Sequence, residues 1–127
     1  MGITLGTLIG SNAVLNILNQ QKGFNSTTAY RIMKNVKLIS AELEDYEKQR
    51  IILCEKYSNK DEEGNPIITE AGNYDISPDN LKDYIEELNN LKNEIVEIPL
   101  KTISLEEINP AELSPVELAM IEFMLEE

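Results

Sequence analysis

Four side chains in the first third of the chain, Tyr30, Arg31, Lys34 and Lys37, are of the types that hold a nucleotide. On a helix Tyr30, Lys34 and Lys37 recur at i, i+4 and i+7 and share one face, and Arg31 lies one position to the side, within reach of its long stem. An aromatic ring offers a base a stacking surface, while two ammoniums and a guanidinium offer charge to phosphates. A helix start at Ser26 to Ala29 would add backbone N–H donors for an anion. The competing reading is structural: Tyr30 edges a core, and Arg31 and Lys34 pair with acids elsewhere in the chain.

No other constellation supports chemistry. The 127 residues contain no His, which removes the usual general base, the His-containing triads and the commonest transition-metal ligand. Cys54 is the single cysteine, so an internal disulfide and a CxxC site are excluded and a structural thiol is expected. Asp61, Glu63 and Asn65 have the one-three-five spacing of a calcium loop, yet Pro66 stands where such a loop needs Gly and Gly72 where it needs a bidentate Glu. Glu42, Glu44, Asp45 and Glu47, like Glu86 and Glu87, read as solvated helix faces, since a paired-acid mechanism needs two carboxylates brought together in a cleft. The six glycines are isolated, so there is no phosphate-cradling loop. The expectation is a non-enzyme with no catalytic residue, no metal site and no cofactor.

Composition narrows the class of partner. Of the residues 42% are apolar and 27% charged, as in ordinary globular domains, and the length suits one core, so a single domain over residues 1–127 is expected. Eleven Lys and Arg against 23 Asp and Glu give a net charge of −12, which argues against coating a nucleic-acid polymer. The charge is uneven: residues 1–41 hold no acid and the four cations Lys22, Arg31, Lys34 and Lys37, and every carboxylate lies beyond them. Such asymmetry points to an anionic partner, to self-association between oppositely charged surfaces, or to ion pairs within the fold. The apolar start from Ile3 to Ile9 is short and lacks a basic flank, so neither a signal peptide nor a membrane span is expected, and a single thiol suits a reducing cytoplasm.

Periodicity supplies the elements that would position these residues. A short first helix is expected near residues 11–20, capped by Ser11 and ended by Gly23. A long second helix over about 27–57 carries Ile32, Val36, Ile39, Leu43, Tyr46, Arg50, Leu53 and Tyr57 at alternating spacings of four and three, with only Arg50 breaking the apolar stripe. Residues 58–66 read as a loop, and 67–69 with 73–76 as a small β-hairpin turning at Gly72. Ser77 and Pro78 open a helix over 78–92 that turns Leu81, Tyr84, Ile85, Leu88 and Leu91 toward the core. Ile95 to Leu100 form a short edge strand marked by Pro99. Ile103, Leu105 and Ile108 continue extended or as a helical turn. Ser114-Pro115-Val116-Glu117 is a capping box before a last helix over about 115–126, apolar nearly all round, which is either central to the core or buried between subunits through Met120, Phe123 and Met124. The fold class is α+β, mainly helical: a long central helix, two or three further helices, a hairpin and an edge strand. A homo-oligomer is expected, because the apolar last helix and the long stripe are hard to bury within one small chain.

The runs Ala29 to Lys37 and Glu42 to Tyr57, the loop Lys60 to Pro66 with Gly72-Asn73-Tyr74, the segment Glu94 to Ile98, and Leu113 to Leu118 with the final Glu126-Glu127 resemble a family of small proteins of unknown function. These are encoded by tailed phages and prophages of Gram-positive bacteria. The resemblance implies phage origin and expression in the host cytoplasm, and it supplies no activity or catalytic residue. Two function classes follow. One is a counter-defence binder that sequesters a host factor or a phosphate-bearing nucleotide immune signal at Tyr30, Arg31, Lys34 and Lys37. The other is an assembly or regulatory factor that docks on another protein, including a host protein inhibited through the acidic surface.

Overall fold

A computed structural model describes residues 2–126 and has the element order β1 (Gly2–Thr4), α1 (Leu5–Gln20), α2 (Ser26–Tyr57), α3 (Pro78–Lys92), β2 (Ile95–Glu97) and α4 (Pro115–Met120), with single 3₁₀ turns at Asn109–Ala111 and Glu122–Met124. The class is α+β and mainly helical, built on the long α2. The residues cluster into two compact units: a terminal unit running to Leu43 and resuming at Ile95, and a middle unit, Glu44–Glu94. Helix α2 contributes residues to both.

In the terminal unit β1 and β2 pair antiparallel, with Gly2 opposite Glu97, Ile3 opposite Val96 and Thr4 opposite Ile95. The edge strand read from the sequence is thus real but short, and its partner is the start of the chain. Thr4 caps α1 by accepting from the Thr7 amide at 3.2 Å, so the helix begins at Leu5 and not near Ser11. Ser11 is no cap. It is buried mid-helix with its hydroxyl donating to the Leu8 carbonyl at 2.7 Å, which satisfies the side chain without ending the helix. Helix α1 stops at Gln20, and Gly23 takes φ +100° in the connection beyond it.

Leu5, Leu8, Val14, Leu15 and Leu18 line the buried face of α1, and the terminal core is completed by Ile32 and Ile39 of α2 with Ile103, Ile108, Ile121 and Met124. Asn35, also fully buried, uses its amide twice on one residue: Nδ2 donates to the Lys101 carbonyl at 2.8 Å and Oδ1 accepts from the Lys101 amide at 2.7 Å. The Ser114–Glu117 capping box forms as read, with the Glu117 amide on Ser114 Oγ at 3.3 Å and the Ser114 amide on Glu117 Oε1 at 2.9 Å.

The last helix departs from expectation, ending at Met120 and not at 126. Beyond it a 3₁₀ turn places Ile121 and Met124 in the core, and the chain then extends so that Leu125 bridges Ile103 in parallel. The Ile103 amide donates to the Met124 carbonyl at 2.9 Å and the Glu126 amide to the Ile103 carbonyl at 2.8 Å. Those two bonds satisfy backbone groups that helical continuation would have used locally.

In the middle unit the end of α2 leads into three short segments around Asn59, Ile67 and Asp75. Their backbones interlock in sequence: Ile67 N–H to Asn59 C=O, Asp75 N–H to Ile67 C=O and Asn59 N–H to Asp75 C=O. The hairpin read from the sequence is present as isolated antiparallel bridges, Ile68 to Tyr74 within it and Ser58 to Ile76 and Lys60 to Pro66 beside it. Gly64 and Gly72 turn the chain at φ +84° and +85°, a region that side chains disfavour. Lys60 lies over the C-terminus of α2, its ammonium bonded to the Glu55 and Ser58 carbonyls, where the helix dipole favours a cation.

Helix α3 buries none of its residues fully. The apolar face read over 78–92 is divided: Tyr84, Leu88 and Leu91 are half-covered, while Leu81 and Ile85 remain 42% and 45% exposed. Within this unit only one other helix is available to cover it, and a single neighbour shields a narrower stripe than a core does.

Candidate functional site

The basic segment lies on the first three turns of α2. Asn25 caps that helix, its Oδ1 accepting from the Thr28 amide at 2.9 Å. Tyr30 is 53% exposed, the Lys34 ammonium sits 5.5 Å from the centre of its ring, and Lys37 is exposed on the same face. Three of the four residues read from the sequence are therefore together on one open face.

Arg31 is directed elsewhere. Its guanidinium lies 3.5 Å from Glu107, whose carboxylate also accepts from Thr28 Oγ1 at 2.6 Å and from the Ser104 amide at 3.1 Å. These donors, Thr28 first and Ser104 next, hold the Glu107 carboxyl below its ordinary value. The structural alternative thus holds for Arg31, which pairs with Glu107 in the 104–107 turn. It does not hold for Tyr30, which is no core ring.

The residues read as an interface separate too. Met120 is 40% exposed, Phe123 is half-covered, and Met124 is wholly inside the terminal core, so Met124 is a packing residue. Phe123 stands between two open hollows. One, of about 620 Å³, is lined by Thr7, Thr102, Ala119, Glu122, Leu125 and Glu126 with Phe123; the other, of about 280 Å³, by Ile3, Ile98, Pro99, Leu100, Thr102 and Met124 with Phe123.

One cluster escapes sequence reading. In the middle unit the Cys54 thiol, 3% exposed, lies 3.4 Å from the Tyr84 hydroxyl and 3.6 Å from a guanidinium nitrogen of Arg50, at a cavity of about 210 Å³ that Asn73 and Tyr74 also line. Burial is the main reason the Tyr84 phenol titrates above its ordinary value, and its bond to the thiol adds to the shift. The sequence carried half the signal: Arg50 interrupts the apolar stripe one turn before Cys54. Tyr84, from another helix, could not be joined to them by spacing. Arg50 is itself held by Glu47, its Nε donating at 2.9 Å, and this bond holds the Glu47 carboxyl below its usual range. The cluster is internally satisfied, with the guanidinium on a carboxylate and the thiol on a phenol.

Other acids named above are also engaged with cations, Glu44 with Lys48 at 3.9 Å and Glu87 with Lys56 at 3.3 Å. Asp61 caps its own loop, accepting from the Glu63 and Asn65 amides at 2.9 Å. Among the described residues no group of three or more Cys, Asp or Glu is placed to hold a metal, and no helix is long and apolar enough to cross a membrane. Comparison of the chain with protein-family models, curated proteins and solved structures found no match.

Proposed function

We propose that this chain is a non-catalytic, phage-encoded binding protein that acts in the host cytoplasm by sequestering a small phosphate-bearing ligand of the nucleotide class, an immune signal of the host. The observation that carries the reading is the exposed Tyr30 ring with the Lys34 ammonium beside it and Lys37 one turn further on. A base stacks on the open side of the ring, and the two ammoniums take the phosphates. Arg31 serves by fixing the helix to Glu107. Sequestration needs affinity and no chemistry, in keeping with a chain that lacks His and offers no matched nucleophile and base. Because the face is open, a homo-oligomer supplies the second wall that a tight site needs.

Native mass spectrometry against a panel of nucleoside monophosphates and cyclic dinucleotides tests this. The expected result is an oligomer that gains one discrete ligand mass, with affinity reduced about a hundredfold in Lys34→Glu/Lys37→Glu, a loss of about 2.7 kcal/mol. An unliganded protein across the panel would sink the reading. A second reading, docking on another protein for assembly or regulation, is favoured by the uncovered Leu81 and Ile85 of α3.

A further inference from the structure

We infer that the trough on either side of Phe123 is a docking groove for a basic amphipathic helix of another protein. The two hollows described above share Thr102 and Phe123, so they adjoin in the terminal unit. Phe123, Leu125, Ile3, Ile98 and Leu100 give it an apolar lining, whereas Glu122 and Glu126, four residues apart, place carboxylates at one side. The lining includes two carboxylates and no cation. An apolar floor with an acidic margin is complementary to a helix that presents leucine-like anchors at i, i+3 and i+4 flanked by Lys or Arg.

The groove is also preformed. Phe123 is bracketed by Ile121 and Met124, both fully buried, and the following residue is fixed by the backbone bonds between Ile103 and the chain at Met124 and Glu126. A helix docking there meets a backbone already held by these bonds, so little backbone ordering is needed on this side of the contact. Both hollows are open, which suits a polypeptide face better than a small molecule that must bury most of its own surface. The groove uses none of Tyr30, Lys34 and Lys37, so the inference stands apart from the phosphate-ligand reading.

The probe is a fluorescently labelled synthetic helix with one leucine face and one lysine face, titrated with the whole protein at physiological ionic strength and read by anisotropy. Saturable one-to-one binding is expected. It weakens about tenfold in Glu122→Lys/Glu126→Lys and in Ala119→Trp, which fills the hollow from an exposed helix position, and less than about twofold in Glu62→Lys/Glu63→Lys, which makes the same change in net charge in the loop of the middle unit. Lys34→Glu leaves it unchanged. Circular dichroism melts establish that each variant is folded. No binding, or equal weakening in both charge-reversal pairs, overturns the inference. So does a change in oligomeric state on Glu122→Lys/Glu126→Lys without any effect on the peptide, which would assign the groove to a second copy of the chain.

Discussion

Asn35 treats Lys101 as a strand would, donating to its carbonyl and accepting from its amide from a fully buried position on α2. One side chain thereby satisfies both backbone groups of a residue in an irregular segment, the accounting that β-pairing performs elsewhere. Its Nδ2 also lies 3.9 Å from the Met124 sulfur, so the same amide touches the C-terminal turn.

Asn35→Ala is therefore expected to lower the stability of the terminal unit by about 2–3 kcal/mol, because two partly buried backbone groups lose their partner at once. Asn35→Asp, which keeps the acceptor and loses the donor, is expected to be no better, since it buries a charge. Urea denaturation followed by circular dichroism measures both. A loss for Asn35→Ala below about 0.5 kcal/mol would show that water replaces the amide.

Glu107 makes stability depend on acid. Its carboxyl titrates below the ordinary 4.5 because Thr28 and Ser104 bond the charged form. The folded state thus favours the carboxylate, a contribution fully present at neutral pH that fades as pH falls through 4.5 and toward the depressed folded value, where both states are protonated. Glu107→Gln should lower the urea midpoint most at neutral pH, with the gap to the natural chain closing in acid. A gap that widens as pH falls contradicts this assignment.

Cys54 should behave as an interior thiol despite the guanidinium beside it. At 3% exposure it is expected to react with a bulky aromatic disulfide about a hundredfold more slowly in buffer than in denaturant. Tyr84→Phe removes its hydroxyl partner while leaving the ring, and should speed labelling only modestly. Comparable rates for folded and unfolded protein would mean that the cavity beside Cys54 admits the reagent freely.

The elements legible in the sequence are those whose signals are local. Helix α2 is bounded by Asn25 and the Ser58 loop, α3 by Ser77-Pro78, and the α4 start by Ser114 and Glu117, each within a few residues of the side chains that define it. Ser11 misled because a small polar residue in an apolar run reads as a cap, whereas Thr4 does that work and Ser11 bonds back to Leu8. The last helix stops short of its apolar periodicity because its end depends on Ile103, some twenty residues earlier, which no helical periodicity encodes. The basic face was legible as a helix face, and only the fold could show that Glu107 withdraws Arg31 from it.

The edge-on contact of Tyr57 with Tyr84, ring centres 6.4 Å apart, gives the middle unit an optical identity. The chain has no tryptophan, and of its five tyrosines Tyr46, Tyr57, Tyr74 and Tyr84 fall within Glu44–Glu94, leaving Tyr30 alone in the other unit and half in solvent. Near-ultraviolet dichroism and intrinsic tyrosine emission are accordingly weighted toward the middle unit, four tyrosines to one, whereas the amide signal sums over both. Two probes recorded on one sample thus separate the melting of two regions without any label.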